Sequence, residues 1–143
     1  MSISSDKPSP LRIAILGGGR ISSAFAFHFA RNARYEITII ARPNPARLAQ
    51  LRRDVGIVTT THEHASAIIY DTLDENIAYD LVLVTVKDYQ VRALLPALMR
   101  CAARKIHFMF MTFEPDRLRQ AVNPERAILG MPFLQSDFDA NGH

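Results

Sequence analysis

The 143-residue sequence predicts an α/β domain built on a doubly wound, mostly parallel sheet with helices on both faces. Three observations carry this prediction. Short apolar runs of strand size alternate along the chain with stripes at helical spacing. That alternation calls for parallel strands joined by helical crossovers. The first apolar run also stops at Gly17, Gly18 and Gly19, directly before the first helical stripe.

Residues 1–10 hold Ser2, Ser4, Ser5, Ser9, Pro8 and Pro10 and read as a loose tail; residues 11–134 hold the domain, and 135–143 form a polar tail. Leu11 to Leu16 is a short, β-branched run suited to a buried strand. Ile21, Ala24, Phe25, His28 and Phe29 then recur at helical spacing and predict one apolar helix face, with Phe27 lying off it. Tyr35 to Ala41 reads as the second strand. Pro43 and Pro45 punctuate a turn, and Ala46 to Arg53 reads as a short helix with Leu48 and Leu51 inward. Gly56 to Tyr70 suits one or two short strands, and Leu73 to Ala78 a helical turn. Asp80 to Val86 is a strongly apolar strand. Val91, Leu94, Leu95, Leu98, Met99 and Ala102 predict a long helix, in which Pro96 removes a backbone bond. Ile106 to Met111, Asp116 to Val122 and Ala127 to Leu129 predict a strand, a helix and a last short strand. Past Pro132 the pattern fades.

Composition excludes several function classes. Hydrophobic residues at 48% and charged residues at 22% match an ordinary soluble globular chain. The first residues lack the basic start and apolar stretch of a secretory signal, and no apolar run is long enough to span a membrane. Cys101 is the one cysteine, so no internal disulfide forms and a reduced cytoplasm is expected; Cys101 itself reads as a packing residue. The net charge of +3 comes mostly from scattered arginines without a concentrated basic face or interleaved aromatics. This argues against nucleic acid and suits an anionic small ligand. His62 and His64 flank Glu63 in a Thr-rich segment and read as solvent-facing; with no Cys/His cluster, no metal site is expected. His28 and His107 read as core-edge histidines. No Tyr-x-x-x-Lys, G-x-S-x-G or P-loop pattern occurs.

The chemistry concentrates in Gly17-Gly18-Gly19-Arg20-Ile21-Ser22. Gly17 permits a tight turn, and Gly19 lets a pyrophosphate approach the backbone. The helix N-terminus offers N–H groups and a positive dipole end. Ser22 stands at the third glycine position of the dinucleotide fingerprint and is small enough for close helix–strand packing. This is the pattern of a Rossmann-type nucleotide-binding domain; the plain alternative is a glycine turn without a ligand. NAD-binding versions carry an acid about 20 residues on, whereas this chain reads Ala41-Arg42. The Arg42 guanidinium suits a 2′-phosphate, and hence NADP(H), unless it is a plain surface arginine; Arg47 is a second candidate. Lys87 and Gln90 lie about one helical turn apart at the carboxyl end of the Asp80 strand, where ligands of open α/β sheets sit.

Four segments together resemble the ketopantoate reductase (2-dehydropantoate 2-reductase) family over most of residues 11–130. They are Ile13 to Gly19, Ile39 to Pro43, Leu81 to Gln90 with its V-K-x-x-Q element, and Pro124 to Gly130. The resemblance implies NADPH-dependent reduction of ketopantoate in pantothenate synthesis. It implies that Gly17, Gly18, Gly19, Arg20, Ile21 and Ser22 form the pyrophosphate turn, that Arg42 meets the 2′-phosphate, and that Lys87 and Gln90 contact the cofactor. Two departures stand out. Phe108 to Phe113 contains no Asn where the family has a Q-N-G element. The family's helical C-terminal domain, source of its lysine general acid, has no counterpart in these residues, so no catalytic residue is assigned. The leading expectation is an NADP(H)-binding domain that is inactive alone. The rival readings are a non-catalytic NADP-binding or regulatory module and an interaction domain with a vestigial turn. Phe27, Met131, Phe133 and Leu134 suggest an apolar patch covered by a homodimer partner or by a helical domain.

Overall fold

The computed structural model describes residues 9–17, 19–41, 45–86, 88–109 and 115–130. Gly18, Arg42, Lys87 and the expected patch residues Met131, Phe133 and Leu134 lie outside them. The chain runs β1 (Leu11–Leu16), α1 (Arg20–Ala30), β2 (Tyr35–Ile40), α2 (Pro45–Asp54), β3 (Gly56–Val58), β4 (His64–Ser66), β5 (Ile68–Tyr70), β6 (Leu81–Val84), α3 (Asp88–Arg100), β7 (Lys105–Phe108), α4 (Pro115–Val122) and β8 (Ala127–Leu129).

Six strands form one parallel sheet in the order β5-β2-β1-β6-β7-β8. Numbered along the chain within that sheet, this is the doubly wound Rossmann order, which reverses direction between β1 and β6. Side chains alternate across the strands and feed two cores, because a parallel sheet is covered on both faces. Ala14, Leu16, Val82, Val84, Ile106 and Phe108 point to the side covered by α3 and α4. Ile13, Ile15, Ile37, Ile39 and Leu83 point to the side that holds Ala26 and Phe27 of α1 and Leu51 of α2.

The inward face of α1 differs from the one its spacing predicts. Ser22, Ser23, Ala26 and Phe27 are buried, whereas His28 is exposed and Ile21, Ala24, Phe25 and Phe29 are only partly covered. A helix lying against strands needs small residues at the contact, and Ser22 and Ala26 supply them. Phe25 and Phe29 stack on each other along the flank at 5.9 Å, and Phe29 meets Tyr35 edge-on at 5.3 Å. Phe27 is therefore core and not part of an apolar patch.

The middle of the chain also departs from expectation. Residues 56–70 hold three short strands: β3 and β4 make a separate antiparallel hairpin, and β5 joins the edge of the main sheet. Leu73 to Ala78 is not helical. The Asp74 carboxylate accepts from the Asn76 N–H at 2.9 Å, and this local bond competes with helix formation. The crossover from β5 to β6 is thus irregular. It is held by Glu75, whose carbonyl accepts from Ala102 N–H, and by Tyr79, buried in the core, whose carbonyl accepts from Arg104 N–H.

Arg126 holds the second half together. Its guanidinium donates to the carbonyls of Leu98, Met99, Cys101, Ala103 and Val122. These acceptors lie in the last turns of α3 and α4 or just beyond α3, where the helix dipoles also favour a cation. Cys101 packs in the same place, buried, with its S–H donating to Leu98 O at 3.2 Å. Replacing Arg126 by Met should therefore lower stability by about 2–3 kcal/mol, read as a lower urea midpoint at unchanged slope. Lys at this position should recover only part of the loss, and an unshifted midpoint for Arg126→Met would refute the capping role.

Candidate functional site

The glycine turn begins where β1 ends. Gly17 has a φ of +124°, which side chains rarely adopt, and its N–H donates to Ile40 O of β2 at 2.8 Å. A Cβ added there would lie 2.5 Å from Thr85 Oγ1. Thr85 is itself fixed, because its Oγ1–H and its N–H both donate to Leu16 O, at 2.7 and 3.0 Å. Gly19 is the N-cap of α1, in extended conformation, and the space beside it is open: an added Cβ would meet nothing within 4 Å. Among the described residues no side chain caps the helix, and no acidic residue occupies its first turn. Among the described residues the first N–H groups thus meet no capping side chain at the positive end of the dipole, an arrangement suited to an anion. Ser22 is almost fully buried and donates to Gly19 O at 3.0 Å, so it fills the close-packing position of the third glycine while tightening the turn.

Beside the turn lies a cleft of about 620 Å³ beyond the carboxyl ends of the strands, at the point where the strand order reverses. This is where open α/β sheets hold their ligands. Leu16 and Gly17 form one wall with Ile40 of β2. Val86 follows β6, and α3 contributes Gln90, Ala93, Leu94 and Ala97. The remaining wall, Asp71, Thr72, Leu73 and Glu75, comes from the irregular crossover after β5. Glu75 is paired with Arg100, with Oε1 2.6 Å from Nη2. Asp71 is exposed and has no hydrogen-bond or ion-pair partner among the described residues.

Of the residues singled out from sequence, the structure brings Gly17 and Gln90 to the cleft, with Gly19, Ile21 and Ser22 in the adjoining turn and Arg20 exposed at its rim. Gly18, Arg42 and Lys87 fall outside the described residues. Arg47 is not a surface cation. It is 8% exposed, and its guanidinium donates to Ser23 Oγ of α1 at 2.7 Å and to Gln50 Oε1 at 3.1 Å. Burial pushes its pKa down and Asp54 opposes the shift, but an arginine stays charged, so Arg47 ties α2 to the first turn of α1. Sequence reading missed the 71–75 wall. Its available signal was the apolar triplet at 68–70, which as a strand beside β2 carries the next residues into the crevice.

Histidines elsewhere have modest roles. His62 and His64 are exposed. His107 on β7 is half-buried; its Nε2 lies near Gly130 but forms no hydrogen bond of normal geometry, and burial pushes its pKa down. Among the described residues no group of three or more His, Cys, Asp or Glu could hold a metal ion, and no helix is long and apolar enough to cross a membrane.

Comparison with known proteins places this geometry. The solved structure of a putative 2-dehydropantoate 2-reductase from Enterococcus faecalis superposes with a TM-score of 0.75 at 20% identity, over 92% of this chain and 44% of that one. A probable 2-dehydropantoate 2-reductase from Bacillus subtilis gives 0.71 at 17% identity, over 92% and 45%. D-mandelate dehydrogenase, in a ternary structure with NADH and anilino(oxo)acetate, gives 0.67 at 18% identity, over 85% and 40%. At these identities the likeness is one of fold, and the chain spans less than half the length of each structure. No curated protein matches the sequence. The profile of the family described as ketopantoate reductase PanE/ApbA does match, over residues 13–143, and the chain belongs to that family.

Proposed function

We propose that this chain is the NADP(H)-binding domain of a ketopantoate-reductase-like oxidoreductase. The observation that carries the reading is the uncapped N-terminus of α1, set behind the Gly17–Gly19 turn at the reversal point of the sheet. A dinucleotide fits this cradle: its pyrophosphate has N–H donors and a positive dipole end without a side-chain acceptor competing for them, and the adjoining cleft is large enough for an adenosine. The preference for NADP over NAD rests on the end of β2, where Ala41 is buried and Arg42 follows, so no carboxylate from that strand meets the ribose. Lys87 and Gln90 complete the proposed contacts, with Gln90 already on the cleft wall.

When bound, the cofactor supplies a hydride for the carbonyl carbon of a 2-keto acid, with 2-dehydropantoate, a precursor of pantothenate, as the proposed substrate. This chain's residues bind and orient the dinucleotide. The developing alkoxide needs a proton donor, and no lysine or histidine among the described residues lines the cleft. The 143 residues alone are therefore proposed to bind without turnover, with a second copy or a helical domain as partner, in the cytoplasm and away from membranes and nucleic acid. The lack of an Asn in Phe108 to Phe113 favours a second reading, a non-catalytic NADP-binding or regulatory module.

Two predictions test the binding site. In a titration followed by the reduced cofactor's own fluorescence, NADPH should bind about ten- to a hundredfold more tightly than NADH, and Arg42→Ala should abolish the NADPH advantage. Absence of binding by either dinucleotide would sink the oxidoreductase reading. The glycines should separate stability from binding. Gly17→Ala, strained and crowded by Thr85, should cost roughly 2–3 kcal/mol of stability. Gly19→Ala should leave the unfolding midpoint in place while weakening NADPH by about tenfold or more, because its methyl group enters the space kept for phosphate.

A further inference from the structure

Cofactor choice in this fold is ordinarily set by the residue at the carboxyl end of β2, an acid there accepting from the ribose 2′-hydroxyl. In this chain that residue is Ala41, which has no polar side chain to offer. The neighbouring strand does. β5 pairs in parallel with β2, Ile40 standing opposite Tyr70, and the Ala41 N–H donates to Tyr70 O at 3.4 Å. Asp71 is therefore level with Ala41, one strand further out. It lines the same cleft as Gly17, Ile40 and Gln90. Glu75, the other acid on that wall, is held by Arg100, whereas Asp71 has no partner among the described residues. Among the described residues on this wall, the carboxylate available to a ligand is that of Asp71.

We propose that Asp71 is a specificity-determining residue that does from β5 what an acid on β2 does in NAD-binding domains. It accepts a hydrogen bond from a ribose hydroxyl of the adenosine and disfavours a 2′-phosphate. Cofactor preference is then a balance between Arg42 and Asp71, not a property of Arg42 alone. The inference rests on the dinucleotide reading above and deepens it. Its chemistry is simple. An ionised carboxylate only accepts hydrogen bonds, so it matches the two free hydroxyls of the NADH adenosine ribose and opposes the charge that NADPH carries in place of one of them. Because Asp71 is exposed, that repulsion is modest, and added salt weakens it.

The test is a paired titration of the parent chain, Asp71→Asn and Asp71→Glu with NADH and NADPH at low and high salt. Asp71→Asn should tighten NADPH and weaken NADH, moving the ratio of their dissociation constants by roughly three- to thirtyfold toward NADPH. Asp71→Glu, which keeps the charge, should stay close to the parent ratio. The NADPH gain in Asp71→Asn should shrink at high salt. Since Asp71 is exposed and has no partner among the described residues, the thermal midpoint of the variant should not move, so a change in ratio reports on the cleft and not on folding. If both dinucleotides still bind and the ratio is unchanged, or if both weaken equally, the inference is overturned while the dinucleotide reading stands. If the parent chain binds neither, that reading fails and this inference falls with it.

Discussion

The carbonyl of Leu16 accepts two hydrogen bonds from Thr85, one from its N–H and one from its hydroxyl, and the next residue, Gly17, donates to Ile40. These bonds lock the end of the central strand to both of its neighbours at one level. The chain must then turn within a single residue, at a φ that favours glycine and in a space that admits no Cβ. Where β1 stops and where α1 begins are both decided here. So is the direction in which the helix presents its unpaired N–H groups. The candidate anion site is thus set by strand pairing at the centre of the sheet.

The cleft has a second support further along the chain. Its α3 wall carries Gln90, Ala93 and Leu94, and Arg126 anchors the far end of that helix by satisfying the carbonyls of Leu98 and Cys101. Because the same guanidinium also reaches Val122 at the end of α4, two helices on one face of the sheet are fixed by one side chain. A planar fork with several donors suits this task in a way that an ammonium does not.

Charge is distributed along the site in a way that matches a dinucleotide. The glycine turn presents the positive end of a helix, with Arg47 buried behind it against Ser23. The cleft beside the turn carries Asp71 and the neutralised Glu75 on its 71–75 wall.

Much of this was legible in the sequence. The alternation of strand-sized runs with helical stripes determined the α/β class, the Gly17–Ser22 spacing determined the turn, and the ends of β2 and β6 located the residues to inspect. The inward face of α1 was not legible, because both stripes of that helix have the correct period and the aromatic one is the more hydrophobic; contact with the strands selects the smaller side chains. Arg47 reads as a second candidate for a phosphate, since local sequence does not reveal that its guanidinium is buried against Ser23. Asp71 stayed hidden for a related reason. Local periodicity is encoded within a few residues, so the sequence determined which segments are strands and helices and where the glycine turn falls. Which strand lies beside β2, and so which carboxylate reaches the cleft, depends on pairing between residues about thirty positions apart, and only the tertiary structure decided that.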